Sequence, residues 1–453
     1  MTTAAPDSTP IPADPGSPAP AARVRIGLLG CGTVGGALAR LLEERRSTIE
    51  ARTGVEISIG RVAVRDIARS RDVGLGAELF TTDTMSVVED PEIDIVVELI
   101  GGVDPARDLV ARALELGKPV ITGNKALLAV HGAGLYAAAD AAGVDLLFEA
   151  AVAGGIPLMR PLRESLVGEP VTRVMGIING TTNYILTRMS EEGASYDEAL
   201  AEAQELGYAE EDPTADVEGH DAAAKAAIIA TIVYGAIVQA DEVHREGIAG
   251  ITADDIAVAA RLGYAIKAIA VIEKAGEGAG GGPEVAVRVH PALVPLTHPL
   301  ASVRDSFNAI FLEGDAVGDL MFYGRGAGGE PTASAILGDL VDAAVNRVNA
   351  SSARIGSFAR AVVRPVADLL SAYYLSLAVV DQPGVLARVA EQFGRFGVSI
   401  RSMEQQGLGD GARLIFITHT SRESAVQDTL AALRELDIVS DVHAVVRVVG
   451  DEI

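Results

Sequence analysis

The sequence predicts an α/β protein with a doubly wound, Rossmann-type cofactor domain, an α+β substrate-binding and dimerisation domain, and a C-terminal ferredoxin-like domain. Short apolar strands alternate with helical patterns through residues 23–150, which is typical of a parallel sheet with helices on both faces. From Tyr373 onward the elements follow the order βαββαβ, a ferredoxin-like unit. A length of 453 residues fits two or three domains.

The predicted domain boundaries follow changes of pattern along the chain. They are a disordered tail at 1–22, the cofactor domain at 23–150, the substrate domain at 151–350, a linker at 351–372 and the C-terminal domain at 373–453. Within the substrate domain, residues 328–350 are expected to return to the cofactor domain. The tail is rich in Ala, Pro, Ser and Thr and lacks a charged n-region and an apolar h-region, so it does not resemble a signal peptide.

Composition argues against several classes of partner. The formal net charge of −25 disfavours nucleic acid and anionic membranes. No apolar run approaches the length needed to cross a bilayer. The single cysteine excludes an internal disulfide and fits a reducing compartment, so we expect a cytoplasmic protein.

A glycine-rich motif lies between a predicted strand and a predicted helix near the start of the chain. Its members are Gly30, Gly32, Thr33, Val34 and Gly35. Gly30 allows a tight turn, Gly32 lets the backbone approach a pyrophosphate, and Gly35 allows the helix to pack closely on the strand. The helix N-terminus supplies amide donors for the phosphates. The spacing therefore predicts a dinucleotide site.

Residues after the following strands extend this site. Arg65 ends the second strand and can meet the 2′-phosphate of NADP, although the adjacent Asp66 leaves NAD open. Gly101 ends the third strand, where backbone can approach the cofactor. Lys125 follows the next strand and should lie at the carboxyl edge of the sheet, where ligands bind. The alternative for Lys125 is a surface lysine that caps a loop.

Residues 206–225, LGYAEEDPTADVEGHDAAAK, concentrate carboxylates in one loop and helix start. Asp221 and Lys225 are four residues apart and would share a helix face, so the carboxylate can orient an ammonium that carries a proton. The same spacing also fits a solvated salt bridge near a helix N-terminus. The remaining carboxylates offer partners for a cationic amino group, and a substrate with an amine and an alcohol follows.

The predicted chemistry is alcohol–carbonyl exchange. A dinucleotide cofactor implies hydride transfer. Oxidation of an aldehyde to an acid usually needs a cysteine nucleophile, and the one cysteine, Cys31, lies inside the glycine-rich turn. Alcohol oxidation needs only a hydride acceptor and a proton acceptor, which the two sites above supply.

Seven motifs, in this order, resemble those of homoserine dehydrogenases. They are GCGTVG at 30–35, ELIGG at 98–102, GNKALLA at 123–129, FEAAVAGGIPLMRPL at 148–162, NGTTNYIL at 179–186, the carboxylate-rich segment at 206–225, and YGRGAGGEPTASA at 323–335. The resemblance covers almost the whole chain after the tail. It implies NAD(P)-linked interconversion of L-homoserine and L-aspartate 4-semialdehyde in threonine, methionine and isoleucine biosynthesis.

The same resemblance assigns roles to individual residues. Lys225 matches the catalytic lysine, and Lys125 matches a second lysine close to cofactor and substrate. Substrate contacts are implied for Gly180, Thr181, Gly207, Glu210, Asp216 and Asp221. Gly328 matches a position that contacts the nicotinamide.

A cation site is implied by the resemblance at four further residues, Glu149, Val152, Gly154 and Ile156. One carboxylate and several backbone carbonyls suit a hard monovalent cation, which in the family is often sodium. The alternative is a glycine-rich bend that joins two domains.

The C-terminal sequence VVDQPGVL at 379–386 resembles the ACT domain, an amino-acid-sensing module. The resemblance implies feedback by a pathway product, for which threonine is the candidate. Asp381, Gly384 and Val385 would lie at the effector loop. The alternative is an ACT unit that serves only oligomer contacts, and we expect a homo-oligomer, a dimer or a tetramer.

Two other functions are open on this sequence. One is a different dehydrogenase on the same scaffold that acts on another amino or hydroxy acid. The other is a non-catalytic protein that senses cofactor and amino acid. The second would predict loss of Lys225 or Asp221, and both residues are present.

Overall fold

The computed structural model describes residues 21–69, 71–278, 282–353, 355–356, 358–407 and 411–450. The predicted disordered tail lies outside these ranges except for its last two residues, and Ala22 already begins the first strand. None of the helices in the described ranges combines the length and the apolar character that crossing a membrane requires.

The first six strands form a parallel sheet in the order β3-β2-β1-β4-β5-β6. The strands are β1 (Ala22–Leu29), β2 (Val55–Ala63), β3 (Phe80–Thr81), β4 (Ile95–Glu98), β5 (Val120–Thr122) and β6 (Leu146–Leu147). The helices between them are α1 (Thr33–Thr53), α2 (Thr84–Glu89), α3 (Ala106–Glu115) and α4 (Lys125–Ala142). This is the strand order of a dinucleotide-binding Rossmann sheet, and the predicted doubly wound fold is confirmed.

Alternate residues of the central strands enter two separate cores. On β4, Ile95 and Val97 join a cluster that contains Leu38 of α1. Val96 faces the other side and joins a cluster that contains Leu109 of α3. Because helices cover both faces of the sheet, its strands carry nearly continuous apolar runs.

The middle of the chain forms an antiparallel sheet with helices packed against it. Its elements are α5 (Met159–Arg163), β7 (Val171–Ile177), α6 (Gly180–Glu192), α7 (Tyr196–Glu205), α8 (Thr214–Val217), α9 (His220–Tyr234), β8 (Ala236–Ile237), β9 (His244–Arg245), α10 (Ala253–Arg261), β10 (Tyr264–Glu277), β11 (Pro283–Pro295), β12 (Phe307–Gly314), β13 (Gly318–Arg325) and α11 (Gly329–Val348). The antiparallel strands lie in the order β13-β12-β7-β10-β11. Helix α11 follows β13 and packs against α1 of the cofactor domain, since Ile336 and Leu340 share a cluster with Leu38.

The segment predicted as a linker, 351–372, contains short strands in its described part. Strand β14 (Ala359–Arg360) pairs with β8, and β15 (Val362–Val363) pairs with β11. Arg364 donates two hydrogen bonds to the carboxylate of Glu284, at 3.0 and 2.8 Å. This segment is therefore attached to the central sheet.

The C-terminal unit has the predicted βαββαβ order. Its elements are β16 (Leu370–Val380), α12 (Val385–Arg395), β17 (Ile400–Gly407), β18 (Gly411–Thr418), the short β19 (Ser421–Arg422), α13 (Glu423–Arg434) and β20 (Val439–Val448). Strand β20 also pairs in parallel with β11, at Ala292–Arg447 and Leu293–Val448. One continuous sheet therefore runs from the central unit into the C-terminal unit.

The C-terminal sheet is buried on both faces. On one face, Phe416 packs with Phe393 of α12 and Leu430 of α13. On the other face, Ile415 and Ile417 share a cluster with residues of α10 in the central unit. The second face has no helix layer of its own, so its burial depends on the central unit.

Removal of residues 373–453 should therefore destabilise the central unit as well as delete the C-terminal unit. The truncation would strip β20 from the edge of β11 and expose the cluster around α10 to water, where apolar area costs about 25 cal/mol per Å². We expect an aggregated product or one that unfolds without cooperativity. Solubility and thermal melting by circular dichroism, beside the full chain, test this. A soluble truncation that melts cooperatively at the temperature of the full chain would contradict it.

Candidate active site

Lys125 is placed by the carboxyl edge of the parallel sheet. It is the first residue of α4, directly after β5 and the turn Gly123–Asn124. Asn124 caps the helix by accepting the N–H of Leu127 at 3.1 Å, and its amide donates to the carbonyl of Gly102 at 2.6 Å. Hydrogen bonds to α4 and to the loop at Gly102 thus hold this turn in place. The lysine side chain that follows it is 43% exposed.

Helix α9 places Asp221 and Lys225 on one face. Gly219 precedes the helix in the left-handed region, with a φ of 81°, and turns the chain into its first residue. The Lys225 ammonium lies 2.7 Å from Asp221 Oδ2. Both side chains are nearly buried, so the alternative of a solvated surface pair does not hold.

Asp221 joins two lysines from different parts of the chain. Its Oδ1 lies 2.7 Å from the ammonium of Lys125, while its Oδ2 faces Lys225. Although burial alone would raise the pKa of Asp221, the ammonium groups of Lys225 and Lys125 hold it well below its usual value. The carboxylate is therefore ionised at any ordinary pH and binds both cations.

The hydrogen bonds of Lys225 leave room for one more acceptor. Its ammonium donates to Asp221 Oδ2 and, at 2.8 Å, to the carbonyl of Ile178 at the end of β7. A lysine ammonium has three donors, and the third meets no acceptor in the described part of the chain. A substrate oxygen could take that position and exchange a proton with Lys225.

The other predicted substrate residues lie at the start of α6, in α8 and in the loop between α7 and α8. Thr181 donates its hydroxyl to the carbonyl of Tyr208 at 2.7 Å and so ties this loop to α6. Gly207 has a φ of 77° and is exposed. Glu210 is exposed, and both lysines pair with Asp221 and not with Glu210 in the described structure. Gly180 packs so closely that an added Cβ would lie 2.7 Å from the carbonyl oxygen of Ser306.

Asn179 was missed by sequence reasoning. Its side-chain amide donates to Asp216 Oδ1 at 2.6 Å and to Asp221 Oδ2 at 2.9 Å. It directly precedes the predicted pair Gly180 and Thr181, but no spacing rule connects it to carboxylates far along the chain.

The glycine-rich turn fits a dinucleotide. A Cβ on Gly30 would lie 2.6 Å from the carbonyl oxygen of Leu99, and one on Gly35 would lie 2.3 Å from that of Gly30. Gly32 faces open space. Helix α1 begins at Thr33 without a side-chain cap, so its first amides stay free for a phosphate.

Glu98 anchors the loop at Gly101 and was also missed. Its Oε1 accepts the N–H groups of Ile100 and Gly101 at 2.8 and 3.2 Å, and its Oε2 accepts the hydroxyl of Thr122 at 2.6 Å. Glu98 is fully buried, so the ends of β4 and β5 are held together. The motif ELIGG could have indicated this role, because it places a carboxylate at the end of a buried strand.

The second glycine-rich segment lies beside the first. Gly328 has a φ of 122° and caps α11. At Gly329, an added Cβ would lie 2.9 Å from the side chain of Thr33. The start of α11 therefore meets the start of α1, on the side of the dinucleotide turn.

A second arginine lies near the end of β2. Arg65 and Asp66 are both exposed. Arg71, which the sequence did not single out, donates to the carbonyl of Cys31 at 3.2 Å and to that of Asp66 at 2.9 Å. Its guanidinium therefore connects the glycine-rich turn to the end of β2. Arg71 lies in the loop after Arg65, so no strand or helix period predicted its position.

Cys31 is unsuited to nucleophilic attack. The side chain is buried, and burial raises the pKa of its thiol more than the neighbouring Arg71 and Arg40 lower it. A thiolate is the reactive form, so this environment disfavours a covalent route.

The predicted cation residues form a tight turn. Glu149 Oε1 accepts the N–H groups of Leu158 and Met159 at 2.5 and 2.7 Å, and Oε2 accepts that of Arg160 at 2.9 Å. The carboxylate thus anchors the start of α5, while the backbone carbonyl of Glu149 accepts the N–H of Val152 at 3.5 Å. No group of three or more His, Cys, Asp or Glu side chains in the described ranges is arranged to hold a metal.

The predicted effector residues lie where β16 meets α12. Asp381 is exposed, Gly384 precedes the helix with a φ of 89°, and Val385 is buried as the first helical residue. The end of β17 is adjacent, since a Cβ on Gly407 would lie 3.8 Å from the Asp381 carboxylate.

Comparisons with known proteins decide the family. The model for the NAD-binding domain of homoserine dehydrogenase matches residues 30–149, and the homoserine dehydrogenase model matches 157–341. The homoserine dehydrogenase of Corynebacterium glutamicum is 48% identical over 433 residues, 95% of this chain and 97% of that protein. This chain belongs to the homoserine dehydrogenase family. It is an NAD(P)-dependent oxidoreductase, as the sequence predicted.

Solved structures agree with this assignment. A homoserine dehydrogenase from Thiobacillus denitrificans superposes with a TM-score of 0.88 and 41% identity over 94% of this chain and 98% of that one. A hyperthermophilic archaeal homoserine dehydrogenase in complex with NADPH matches with a TM-score of 0.60 and 28% identity, over 72% of this chain and 98% of that one. The ACT model matches residues 373–437, so the predicted ACT domain is confirmed.

Replacement of Lys225 by alanine should lower kcat by about 10²–10⁴-fold, the range for loss of a general acid–base group. Cofactor affinity should change little, because the glycine-rich turn lies on the other unit. Steady-state kinetics and fluorescence titration with reduced cofactor measure the two quantities. Near-normal kcat in a folded Lys225→Ala protein would remove Lys225 from the proposed chemistry.

Proposed function

We propose that the protein interconverts L-homoserine and L-aspartate 4-semialdehyde, in threonine, methionine and isoleucine biosynthesis. The observation that carries the proposal is Asp221, which is held between Lys125 of the cofactor unit and Lys225 of the substrate unit. This arrangement puts an ammonium with a free donor at the junction of the two units. A bound nicotinamide would supply the acceptor or donor of the hydride at C4 of the substrate.

Lys225 is the proposed proton carrier. In the reductive direction its free N–H donates to the aldehyde oxygen while that oxygen gains negative charge, and the hydroxyl forms. In the oxidative direction Lys225 first loses one proton to solvent, and the neutral amine then takes up the hydroxyl proton. Asp221 and the carbonyl of Ile178 hold the nitrogen in place in both directions.

The substrate's amino acid end would meet the carboxylate-rich loop. Asp216 lies beside Asp221, since the same Asn179 amide binds both. It is the proposed acceptor for the ammonium group. Glu210, Gly207 and Thr181 lie in or contact the adjoining loop, and Glu210 would have to turn inward to reach a substrate.

We favour NADP over NAD as the cofactor. Arg65 lies two residues after the end of β2, and the nearby Arg71 bridges to the glycine-rich turn. Two guanidinium groups there suit the 2′-phosphate of NADP, which an arginine can accommodate. Gly30, Gly32, Thr33, Val34, Gly35 and Gly101 would surround the pyrophosphate and the adjoining ribose, with Lys125 and Gly328 near the nicotinamide.

A monovalent cation, sodium in this proposal, would bind the turn at 149–156. Ala153 and Gly154 both have a left-handed backbone, with φ values of 59° and 55°. The turn touches the second glycine-rich segment, because a Cβ on Gly154 would lie 2.3 Å from the carbonyl oxygen of Gly326. A cation held by the carbonyls of Glu149, Val152, Gly154 and Ile156 would brace that contact.

Threonine is the proposed effector of the ACT domain, at Asp381, Gly384 and Val385. A series of contacts from the ACT domain toward the active site supports regulation of the activity by this effector. Arg447 of β20 is 4% exposed and binds Glu423 of α13 at 3.0 Å and Glu246 of the central unit at 2.8 Å.

The segment that contains Glu246 contacts Val217, which is adjacent to the proposed substrate residue Asp216. Ile248 donates its N–H to the carbonyl of Val217 at 2.9 Å, and a Cβ on Gly247 would lie 2.7 Å from the same oxygen. Val217 directly follows Asp216. Burial alone would raise the pKa of Glu246, but His244 and Arg447 lower it to about 2, so the ion pair with Arg447 persists at any assay pH.

A homo-oligomer is the proposed assembly. Strand β13 lies at one edge of the long sheet and β17 at the other. Apolar side chains are exposed on β13, with Tyr323 54% exposed and Met321 37% exposed. An open strand edge with apolar neighbours favours pairing with a second copy.

The proposed activity is tested by absorbance at the reduced-nicotinamide band. L-Homoserine with NADP should produce reduced cofactor, faster than with NAD at equal concentration, and threonine should slow it. Lys225→Ala serves as the inactive control. A folded protein that binds NADPH and leaves L-homoserine unoxidised with either cofactor would contradict the proposal.

Glu246→Gln should leave basal turnover within about twofold and weaken inhibition by threonine several-fold, because an uncharged amide binds Arg447 less strongly than a carboxylate does. Threonine titrations of the initial rate measure both. Arg388→Gln, which breaks the exposed pair with Asp437 inside the ACT domain, is the matched control and should resemble wild type. Unaltered threonine inhibition in Glu246→Gln would exclude this route.

A further inference from the structure

Asn179 uses both of its amide hydrogens and its side-chain oxygen in hydrogen bonds within the active site. It caps α6, where its Oδ1 accepts the N–H of Thr182 at 2.9 Å. Its amide nitrogen donates to Asp216 Oδ1 at 2.6 Å and to Asp221 Oδ2 at 2.9 Å. Because the oxygen must face the Thr182 N–H, both amide hydrogens are directed at the carboxylates.

The two carboxylates would otherwise repel each other. Both lie within hydrogen-bond distance of the same amide nitrogen, so their negative charges are close together. A neutral amide that donates to both stabilises both charges without adding a third. Asn179 is 6% exposed, so little water competes for these hydrogen bonds.

The oxygens of the two carboxylates have different partners. Asp221 uses Oδ2 for Asn179 and Lys225, and Oδ1 for Lys125. Asp216 uses Oδ1 for Asn179, and its Oδ2 accepts no hydrogen bond from the ranges that the structure describes. Two lysines and two aspartates leave the cluster neutral, which suits a zwitterionic amino acid.

We propose that Asn179 is a positioning residue that sets substrate recognition. It holds Asp216 so that Oδ2 is free to accept the ammonium group of the substrate, and it keeps Asp221 aligned with both lysines. This inference rests on the proposed function, because it assigns the amino group of L-homoserine to that oxygen. The new element is Asn179, the residue that orients Asp216 as the acceptor of the substrate ammonium group.

Two substitutions separate this role from the helix cap. Serine and aspartate are both good N-caps, so Asn179→Ser and Asn179→Asp should keep α6 intact. Serine is too short to bridge the two carboxylates. Hydrogen bonds to charged groups contribute about 1.5–3 kcal/mol, so Asn179→Ser should raise KM for L-homoserine about tenfold or more, with a smaller fall in kcat.

Asn179→Asp should alter the pH profile. A third carboxylate can bridge the other two only when a proton is shared, so kcat/KM should fall as pH rises through a range where the wild type holds steady. Cofactor affinity should be unchanged in both variants. These readouts would not move if Asn179 served only as a helix cap.

Asn183→Ser is the matched control. Asn183 is a buried amide in the same helix, but it donates to the carbonyls of Val303, Asp305 and Phe307 and not to the carboxylates. We expect a lower melting temperature and an unchanged KM. An equal rise in KM in this control would assign the effect to a loosened helix and overturn the proposal.

The remaining outcomes are distinct. Wild-type KM and pH profile in Asn179→Ser, with an active wild type, overturn the positioning role and leave the proposed function standing. A wild type that does not oxidise L-homoserine overturns the proposed function and the assigned ligand together. A raised KM in Asn179→Ser with a normal KM in Asn183→Ser supports the proposal.

Discussion

The buried carboxylate of Asp221, between the ammonium groups of Lys125 and Lys225, is the contact on which the site depends. Lys125 comes from the edge of the parallel sheet, and Lys225 comes from a helix of the substrate unit. A buried charge without a partner is costly, and both ammonium groups stabilise the charge of Asp221. The same contact therefore joins the two units and positions the proposed proton carrier, Lys225.

Local anchors around this contact restrict its geometry. Asn124 fixes the turn before Lys125, Glu98 fixes the neighbouring loop, and the carbonyl of Ile178 fixes the Lys225 nitrogen. Helix α9 is rich in alanine, and Ala223, Ala226 and Ala227 are buried. Small side chains let the helix lie close to its neighbours, which keeps its polar face near the cofactor unit.

The ACT domain is structurally part of the catalytic unit. Its sheet uses one face for its own helices and the other for α10, and β20 extends the central sheet. An effector at the end of β16 would thus act on a sheet that is continuous with the substrate unit. The ion pairs of Arg447 connect that sheet to the segment beside Val217, and these contacts form the path of the proposed regulation.

The sequence by itself determined the features that depend on neighbours along the chain. These are the glycine-rich turn, the pairing of Asp221 with Lys225 one helical turn apart, and the βαββαβ order. Each follows from a backbone period or a short spacing, so a pattern is enough to predict it.

Only the tertiary structure decided which distant residues meet. It brought Lys125 to Asp221 and placed Asn179 between two aspartates. It also put Arg71 beside the glycine-rich turn. Glu210 is exposed, although its segment is rich in carboxylates. Such contacts arise from the order of strands in a sheet and from how units pack. No local spacing records them, because the side chains meet only after the chain has folded.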